Sequence, residues 1–301
     1  MGFNLYFAGA ENLEIPLTKE DDCGKLFTFA VKPKNLNKFI EGNECKMFID
    51  SGAFSMYHSG INIDMDEYIE YINNTPSPTI WAELDSIPYP ELNSKSVQVS
   101  SEESWERYVY MMNRVKDEYR DKVIPIYHFG EPYEALERML NTEVHGRLAP
   151  YIGVGGRHGV NRAAHDKYYG QLFEIVKASK NPNVKIHAFG MTVLELLEKY
   201  PFYSADSTTW LMIGANGNIQ TKTCGIISVS DIKKFNKDSA WQLDTHIQNK
   251  LIEEVEARGF TLEELSTNYR ARHKCNALYY KEWADNYEFK GNGGVKRKRL
   301  F

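Results

Sequence analysis

Three aspartates each follow a short apolar stretch of the chain. Asp50 comes after Met-Phe-Ile, Asp85 after Ala-Glu-Leu, and Asp206 after Phe-Tyr-Ser-Ala. A lone aspartate in such a place is commonly a helix cap or a turn residue. Two carboxyl groups beside one bond, however, suit double displacement at a sugar anomeric carbon, where one attacks and the other transfers protons. The three aspartates predict such a site if the fold brings them together.

The elements around these aspartates alternate between strand-like and helix-like stretches. Helical patterns lie over 65–74, 101–119, 134–143, 168–179 and 193–200. Seven stretches each contain a β-prone run that stops at a Gly, Asp, His or Ser within the stretch, and a weaker eighth follows them: 4–12, 46–54, 79–88, 123–132, 149–158, 184–192, 202–210 and 218–226. Strands that alternate with helices predict a parallel sheet.

Eight such units predict an α/β protein built as a (β/α)8 TIM-type barrel. The sequence lacks both GxGxxG after the first strand and GxxxxGK[ST], which disfavours a nucleotide-binding open sheet. In a barrel the active site lies at the carboxyl ends of the strands. Those ends carry Asp50, Asp85, His128, Gly155, Gly156, His187 and Asp206.

Two domains are expected, a catalytic barrel over 1–227 and a helical, basic appendage over 228–301. The chain has a net charge of −5, but residues 268–301 carry +6 and the remainder −11. A basic tail that includes Lys296 and Arg297 predicts contact with a phosphate backbone. A solvated tail without a partner is the alternative.

Composition narrows the class of protein. The 301 residues are 42% hydrophobic and 26% charged, which excludes a disordered, collagen-like or disulfide-stapled chain. The four cysteines are scattered without a Cys-x-x-Cys pair, so neither a metal nor another cofactor is expected. No apolar run reaches membrane-spanning length and no signal-like start is present, which predicts a cytoplasmic protein without a membrane partner.

Five motifs occur in the order found in the tRNA-guanine transglycosylases. IDSGAFS resembles the Asp-Ser-Gly-Gly-aromatic motif of that family, and LDSIPYP resembles its aspartate turn. YIGVGG resembles the Gly-Gly strand end, HAFGMT the His-x-x-Gly segment, and YSADSTTW the strand end that bears the nucleophile. Each motif is weak alone, whereas five collinear motifs over residues 48–218 are a strong signal.

The resemblance implies a role for each matching residue. Asp206 corresponds to the nucleophile that attacks C1′ and expels guanine, Asp50 to the acid/base aspartate, and Asp85 to the aspartate that binds the base. Gly155 and Gly156 correspond to the glycines whose backbone approaches the base. Phe54 and Phe189 fall where the family sandwiches the base between side chains, although each could equally be a core residue.

The chain also departs from the family pattern. His128 stands near the place of a glutamine that contacts the base, so it is either a base contact or a supporting histidine. The zinc-binding Cys/His cluster after the nucleophile is missing. These features resemble the phage and bacterial branch that exchanges guanine in DNA for a 7-deazaguanine.

The implied function is therefore a guanine transglycosylase that acts on DNA and takes a free 7-deazaguanine base as its small-molecule substrate. Arg157, beside the Gly-Gly strand end, is expected to meet phosphates, together with Lys296 and Arg297. A phage-encoded enzyme would work in the host cytoplasm, and a homodimer or a partner protein stays open. Two alternatives remain: the same exchange on tRNA, and a barrel glycoside or nucleoside hydrolase.

Overall fold

The computed structural model describes residues 2–9, 23–31, 46–53, 60, 62–75, 80–87, 94–156 and 159–290. The strands are β1 (Asn4–Ala8), β2 (Gly24–Thr28), β3 (Met47–Asp50), β4 (Ile80–Ala82), β5 (Val123–Ile124), β6 (Ile126–His128), β7 (Tyr151–Gly155), β8 (Lys185–Phe189), β9 (Ser204–Ser207), β10 (Asn218–Thr221) and β11 (Gly225–Ser228). The helices are α1 (Met65–Asn74), α2 (Ser94–Met112), α3 (Tyr133–Asn141), α4 (Arg162–Ala178), α5 (Leu194–Lys199), α6 (Thr209–Ala215), α7 (Thr245–Glu256), α8 (Leu262–Thr267) and α9 (Tyr269–Asp285).

Nine parallel strands form one sheet in the order β5-β4-β3-β2-β1-β9-β8-β7-β6. The two end strands, β5 and β6, are separated in the chain by Pro125 alone. The sheet therefore curls into a nearly closed barrel, and β5 and β6 together form one interrupted barrel strand. The predicted TIM-type α/β barrel with C-terminal helices is confirmed.

Alternation of side chains along the strands separates two layers of core. Inward-facing residues fill the barrel with Tyr6, Ala8, Leu26, Phe48, Ala82, Ile124, Ile126 and Tyr151. The outward-facing side chains pack under the helices in two larger clusters. Since both faces of a parallel sheet are covered, its strands read as nearly continuous apolar runs, as this sequence does.

Helix α1 illustrates how local sequence sets the outer layer. Its buried residues are Tyr68, Ile69 and Ile72, which lie on one face at helical spacing. Asp64 caps its first turn by accepting a hydrogen bond of 2.9 Å from a backbone N–H three residues later. The helix coincides with the stretch predicted over 65–74.

The predicted eighth barrel strand at 218–226 is wrong. That segment forms an antiparallel hairpin, β10–β11, outside the barrel sheet. The barrel strand that the sequence pattern did not identify is β2, which pairs in parallel with β1 on one side and β3 on the other. The stretch Lys-Leu-Phe-Thr-Phe-Ala-Val at 25–31 carries the β-prone signal, but only the pairing across the sheet identifies it as a barrel strand.

The C-terminal helices attach to the barrel through α9. The backbone N–H of Phe3, just before β1, donates to the carbonyl of Ala284 at 2.7 Å. A third apolar cluster joins Ile219 and Ile227 of the hairpin to Leu251 of α7 and Leu265 of α8. The hairpin thus shares its core with the C-terminal helices, and the domain boundary after residue 227 stays a prediction. Within the described part of the chain no helix is long and apolar enough to cross a membrane.

A buried side chain completes the barrel where the main-chain pairing is interrupted. Pro125 has no N–H and separates β5, which pairs with β4, from β6, which pairs with β7. The carbonyl of Pro125 accepts from the N–H of Gly153 at 2.8 Å. The next N–H, that of Ile126, donates to Oε1 of Glu83 at 2.6 Å, and the N–H of Glu83 donates to the carbonyl of Ile124 at 3.0 Å. Glu83 therefore joins the two sides of the seam.

The surroundings of the Glu83 carboxyl group favour its protonated form. Burial raises its pKa well above the ordinary value, and the charges of Asp85 and Glu131 raise it further. The N–H of Ile126 and the charge of His128 act in the opposite direction but do not offset burial. The surroundings of Glu83 thus disfavour a buried charge, while its Oε1 still accepts the hydrogen bond from Ile126.

Replacing Glu83 tests this seam. Glu83→Gln keeps an oxygen that can accept from Ile126, so its free energy of unfolding should stay close to that of the wild type. Glu83→Leu leaves the buried N–H of Ile126 without an acceptor, and we expect a loss of about 1–3 kcal/mol. Urea unfolding at neutral pH measures both. A leucine variant as stable as the glutamine variant would show that the hydrogen bond does not support closure.

Candidate active site

The three predicted aspartates meet at the carboxyl edge of the barrel. Asp50 is the last residue of β3, Asp206 lies in β9, and Asp85 follows β4 by three residues. The charges of Asp85 and Asp206 both act on Asp50. The structure therefore brings together the three carboxyl groups that the sequence placed at separate strand ends.

The surroundings of Asp50 strongly raise its proton affinity. Burial raises its pKa, the neighbouring charges of Asp85 and Asp206 raise it further, and the value reaches about 7. The backbone N–H groups of Ser51 and Gly52 donate to the carboxylate and partly oppose this rise. A carboxyl group of this kind can both hold and release a proton near neutral pH.

The tight turn after Asp50 requires a glycine. Gly52 has φ of +90°, a backbone conformation that residues with a side chain rarely adopt. A Cβ at this position would lie 2.4 Å from the Cβ of Ala30 and 2.7 Å from Oγ1 of Thr28. The Asp-Ser-Gly motif thus turns the chain sharply enough to aim two N–H groups back at Asp50.

Asp206 is held through one of its two oxygens. Oδ1 accepts from Nε2 of His187 at 3.2 Å and from the backbone N–H of Gly190 at 3.1 Å. The hydrogen bonds found in the described residues leave Oδ2 free. Such a carboxylate is fixed in orientation and has one oxygen ready to attack.

A chain of hydrogen bonds inside the barrel sets the orientation of His187. Its Nδ1 lies 2.5 Å from Oγ of Ser204, and that hydroxyl in turn contacts the hydroxyl of Tyr151. The ring is fully buried and stacks on Phe48, with ring centroids 4.4 Å apart. With Ser204 donating to Nδ1 the proton sits on Nε2, where it is directed at Asp206. The sequence places His187 at a strand end and at the start of the His-x-x-Gly segment, and neither feature gives a sign of its contact with Asp206.

His128 lies between two carboxylates. Its Nε2 is 2.9 Å from Oδ2 of Asp85, and its Nδ1 is 2.8 Å from Oε1 of Glu131. Burial by itself would lower the pKa of His128, but the hydrogen bonds to Asp85 and Glu131 raise it well above the ordinary value. Both ring nitrogens are occupied in this way, so the structure places His128 as a support for Asp85.

Glycines in β7 make room for rings from the neighbouring strands. A Cβ on Gly155 would lie 2.8 Å from Cδ2 of His128, and one on Gly153 would lie 2.4 Å from Cε2 of Phe189. Among the described residues, the atoms nearest to a Cβ on Gly156 would be the carbonyl oxygen of Phe189 and the hydroxyl oxygen of Tyr169, both at 3.8 Å. Gly155 is therefore required by the packing of the protein itself, whereas a Cβ at Gly156 would make ordinary van der Waals contacts.

Phe189 stands at the upper end of the aromatic interior. Its ring lies 4.5 Å from that of His187 and 5.5 Å from that of Phe48, both edge-on. It is half-buried, so part of its ring is open at the mouth. The predicted stacking partner Phe54 and the predicted phosphate contacts Arg157, Lys296 and Arg297 lie outside the described residues.

No group of three or more potential metal-binding side chains occurs in the described ranges of the chain. The site consists instead of carboxyl groups, two imidazoles and backbone N–H groups. Comparison of the sequence with protein-family models found no match. Comparison with curated proteins found none either. The chemical interpretation therefore depends on the geometry of the site. Oδ2 of Asp206 is available as a nucleophile, and Asp50 can exchange a proton near pH 7.

The pKa of Asp50 predicts how stability varies with pH. Its ordinary value is 3.8 and its folded value about 7, so the folded state binds more protons between these limits. Stability from this group is fully present below about pH 4 and is lost as the pH rises through 7. Asp50→Asn cannot ionise, and we expect it to exceed the wild type at pH 8 by on the order of 2–4 kcal/mol.

Urea unfolding of both proteins at pH 5 and pH 8 measures this effect. The advantage of Asp50→Asn should be less than half as large at pH 5 as at pH 8, while the exposed control Asp238→Asn should show no advantage at either pH. An advantage of equal size at both pH values would contradict a raised pKa at Asp50.

Proposed function

We propose that the protein is a guanine transglycosylase that exchanges guanine in DNA for a 7-deazaguanine base. The observation that carries the proposal is the meeting of Asp50, Asp85 and Asp206 at one mouth. Asp206 there keeps Oδ2 free while Oδ1 is held by two donors. The five collinear motifs of the sequence support the same reaction.

In the first step Oδ2 of Asp206 attacks C1′ of the target nucleotide. The bond between C1′ and the guanine breaks, its electron pair stays on the guanine, and the guanine takes a proton from Asp50. In the second step the incoming base gives a proton back to Asp50 and attacks C1′ from the face that the guanine left. The ester bond to Asp206 then breaks, and the configuration at C1′ is retained.

The donors on Oδ1 support the covalent step. When Oδ2 forms the ester, Oδ1 becomes its carbonyl oxygen and keeps the hydrogen bonds from His187 and Gly190. When the ester breaks, negative charge returns to the carboxylate, and the same two donors stabilise it. Tyr151 and Ser204 contribute by keeping the proton of His187 on the nitrogen that faces Asp206.

Recognition of the base falls to the other residues at the mouth. A carboxylate at Asp85 suits the amino and ring N–H donors of a guanine edge. Gly156 directly follows the carboxyl end of β7, and its backbone carries no Cβ that would keep a flat base away. The open part of the Phe189 ring offers a stacking surface, which is worth about 1–3 kcal/mol per base. A nucleotide in duplex DNA must leave the stack to reach this site.

The choice of DNA over tRNA rests on the sequence. The motif forms around Asp50 and Asp206 resemble the DNA-acting branch, and the family's zinc cluster is missing from the sequence. The same chemistry would serve either nucleic acid, so the test offers both.

Base exchange with purified protein and labelled 7-cyano-7-deazaguanine tests the proposal. Duplex DNA, single-stranded DNA and tRNA are offered in parallel, and we expect incorporation into DNA. Asp206→Asn should abolish it because the amide cannot attack C1′. A covalent protein–DNA adduct should appear on denaturing gels for the wild type without incoming base, and should be missing for Asp206→Asn.

Asp238→Asn serves as the matched control, since this aspartate is exposed. It should exchange at the wild-type rate. Full turnover by Asp206→Asn would overturn the mechanism, and incorporation into tRNA alone would overturn the choice of substrate.

Two glycine variants separate base recognition from packing. Among the residues that the structure describes, the Cβ of Gly156→Ala would make only ordinary van der Waals contacts at 3.8–3.9 Å, so its stability should match the wild type. If the base approaches the backbone there, its exchange rate should fall by at least about tenfold. Gly155→Ala collides with His128 and should lose stability and activity together. Wild-type exchange by a stable Gly156→Ala would remove Gly156 from the base-binding surface.

A further inference from the structure

The turn after β6 folds one glutamate back onto the histidine that begins it. The N–H of Glu131 donates to the carbonyl of His128 at 3.1 Å, and the hydroxyl of Tyr127 donates to the carbonyl of Glu131 at 2.8 Å. Gly130, at φ of +96°, allows the sharp reversal. The side chain of Glu131 is only 2% exposed, so its carboxylate has little water to compensate its charge.

The other groups around this pair are mostly acidic. Glu83 and Glu131 line one small cavity beside Arg138 of α3. Asp85 contacts the opposite nitrogen of His128. The hydroxyls of Tyr127 and of Tyr168 from α4 also lie near Glu131 and stay protonated, because burial and nearby acids raise the pKa of each. His128 is the group directly shared by the carboxyl groups of Asp85 and Glu131, one on each ring nitrogen.

We propose that Glu131 is a positioning residue that acts on the base-binding aspartate through His128. It holds the imidazole as an imidazolium, and the imidazolium fixes Oδ2 of Asp85. Oδ1 of Asp85 is then the oxygen that meets the base. The inference rests on the proposed function for the identity of that ligand, whereas the clamp of two carboxylates on one imidazolium exists without it.

The variant Glu131→Gln tests the effect of the negative charge of Glu131 while keeping the size of its side chain. Glutamine keeps the length of the side chain and an oxygen that can accept from Nδ1, but it removes one of the two negative charges on His128. His128 should then lose its proton at lower pH, and Asp85 should lose its cationic partner. The exposed Glu134→Gln, three residues along on α3, is the matched control.

The first measurement is the titration of the His128 ring by NMR in the free protein, with its signal assigned by comparison with His128→Gln. In the wild type and in Glu134→Gln the imidazolium signal should persist through neutral pH. In Glu131→Gln it should titrate at least about one pH unit lower. Unchanged titration in Glu131→Gln would overturn the clamp.

The second measurement is base exchange as a function of pH. The ratio of kcat/KM between Glu131→Gln and the wild type should be near one at pH 6 and fall about tenfold by pH 8, mainly through KM. In a His128→Gln background, which has no imidazolium to hold, adding Glu131→Gln should have little further effect. An equal loss at every pH, or a full loss in the His128→Gln background, would overturn positioning through His128.

The two measurements also separate the inference from the proposed function. A shifted titration together with no exchange by the wild-type protein would support the clamp and overturn the transglycosylase. Exchange by the wild type with no shift in titration would do the reverse.

Discussion

Five carboxyl groups crowd the mouth of this barrel and its immediate support, where burial and mutual repulsion oppose the ionisation of Asp50 and Glu83. Asp50, Asp85 and Asp206 face one another, and Glu83 and Glu131 lie directly behind Asp85. Like charges at short range in a poorly solvated space repel strongly. Proton affinities in the structure reduce that repulsion: the pKa of Glu83 is raised, the pKa of Asp50 reaches about 7, and His128, whose pKa is also raised, lies between two carboxyl groups. The different chemical character of each aspartate follows from this arrangement.

The same crowding links the chemistry to the closure of the barrel. Glu83 leaves β4 toward the helices and accepts the N–H that Pro125 leaves outside the regular pairing, while Asp85, two residues later, enters the mouth. One short segment therefore supplies both a structural hydrogen bond and a functional carboxylate. A change in the charge of Asp85 at the mouth therefore also acts on Glu83 at the seam.

The sequence predicted the architecture and the meeting of the three aspartates, because strand ends in a parallel barrel necessarily share one edge. It could not assign β2, since a five-residue strand is identified by its two neighbours more than by its own composition. Nor could it pair His187 with Asp206 or Glu131 with His128. Those contacts depend on rotamers and on the turn at Gly130, which a strand–helix pattern does not specify. Glu83 read as part of an apolar run, and only the interruption at Pro125 explains why a carboxyl group is buried there.

Strand β7 leaves space for the side chains of its neighbouring strands because two of its residues are glycines. Gly153 receives the ring of Phe189 from β8 on one side, and Gly155 receives the ring of His128 from β6 on the other. The size of the side chain at each glycine is thus tied to the size of the ring beside it. Among related sequences, a larger residue at position 153 would have to be accompanied by a smaller one at 189, and a larger residue at 155 by the loss of the histidine at 128. Within each pair the summed side-chain volume would stay nearly constant. The residues at 153 and 155 of a related sequence would therefore indicate whether it keeps the ring at 189 and the histidine at 128.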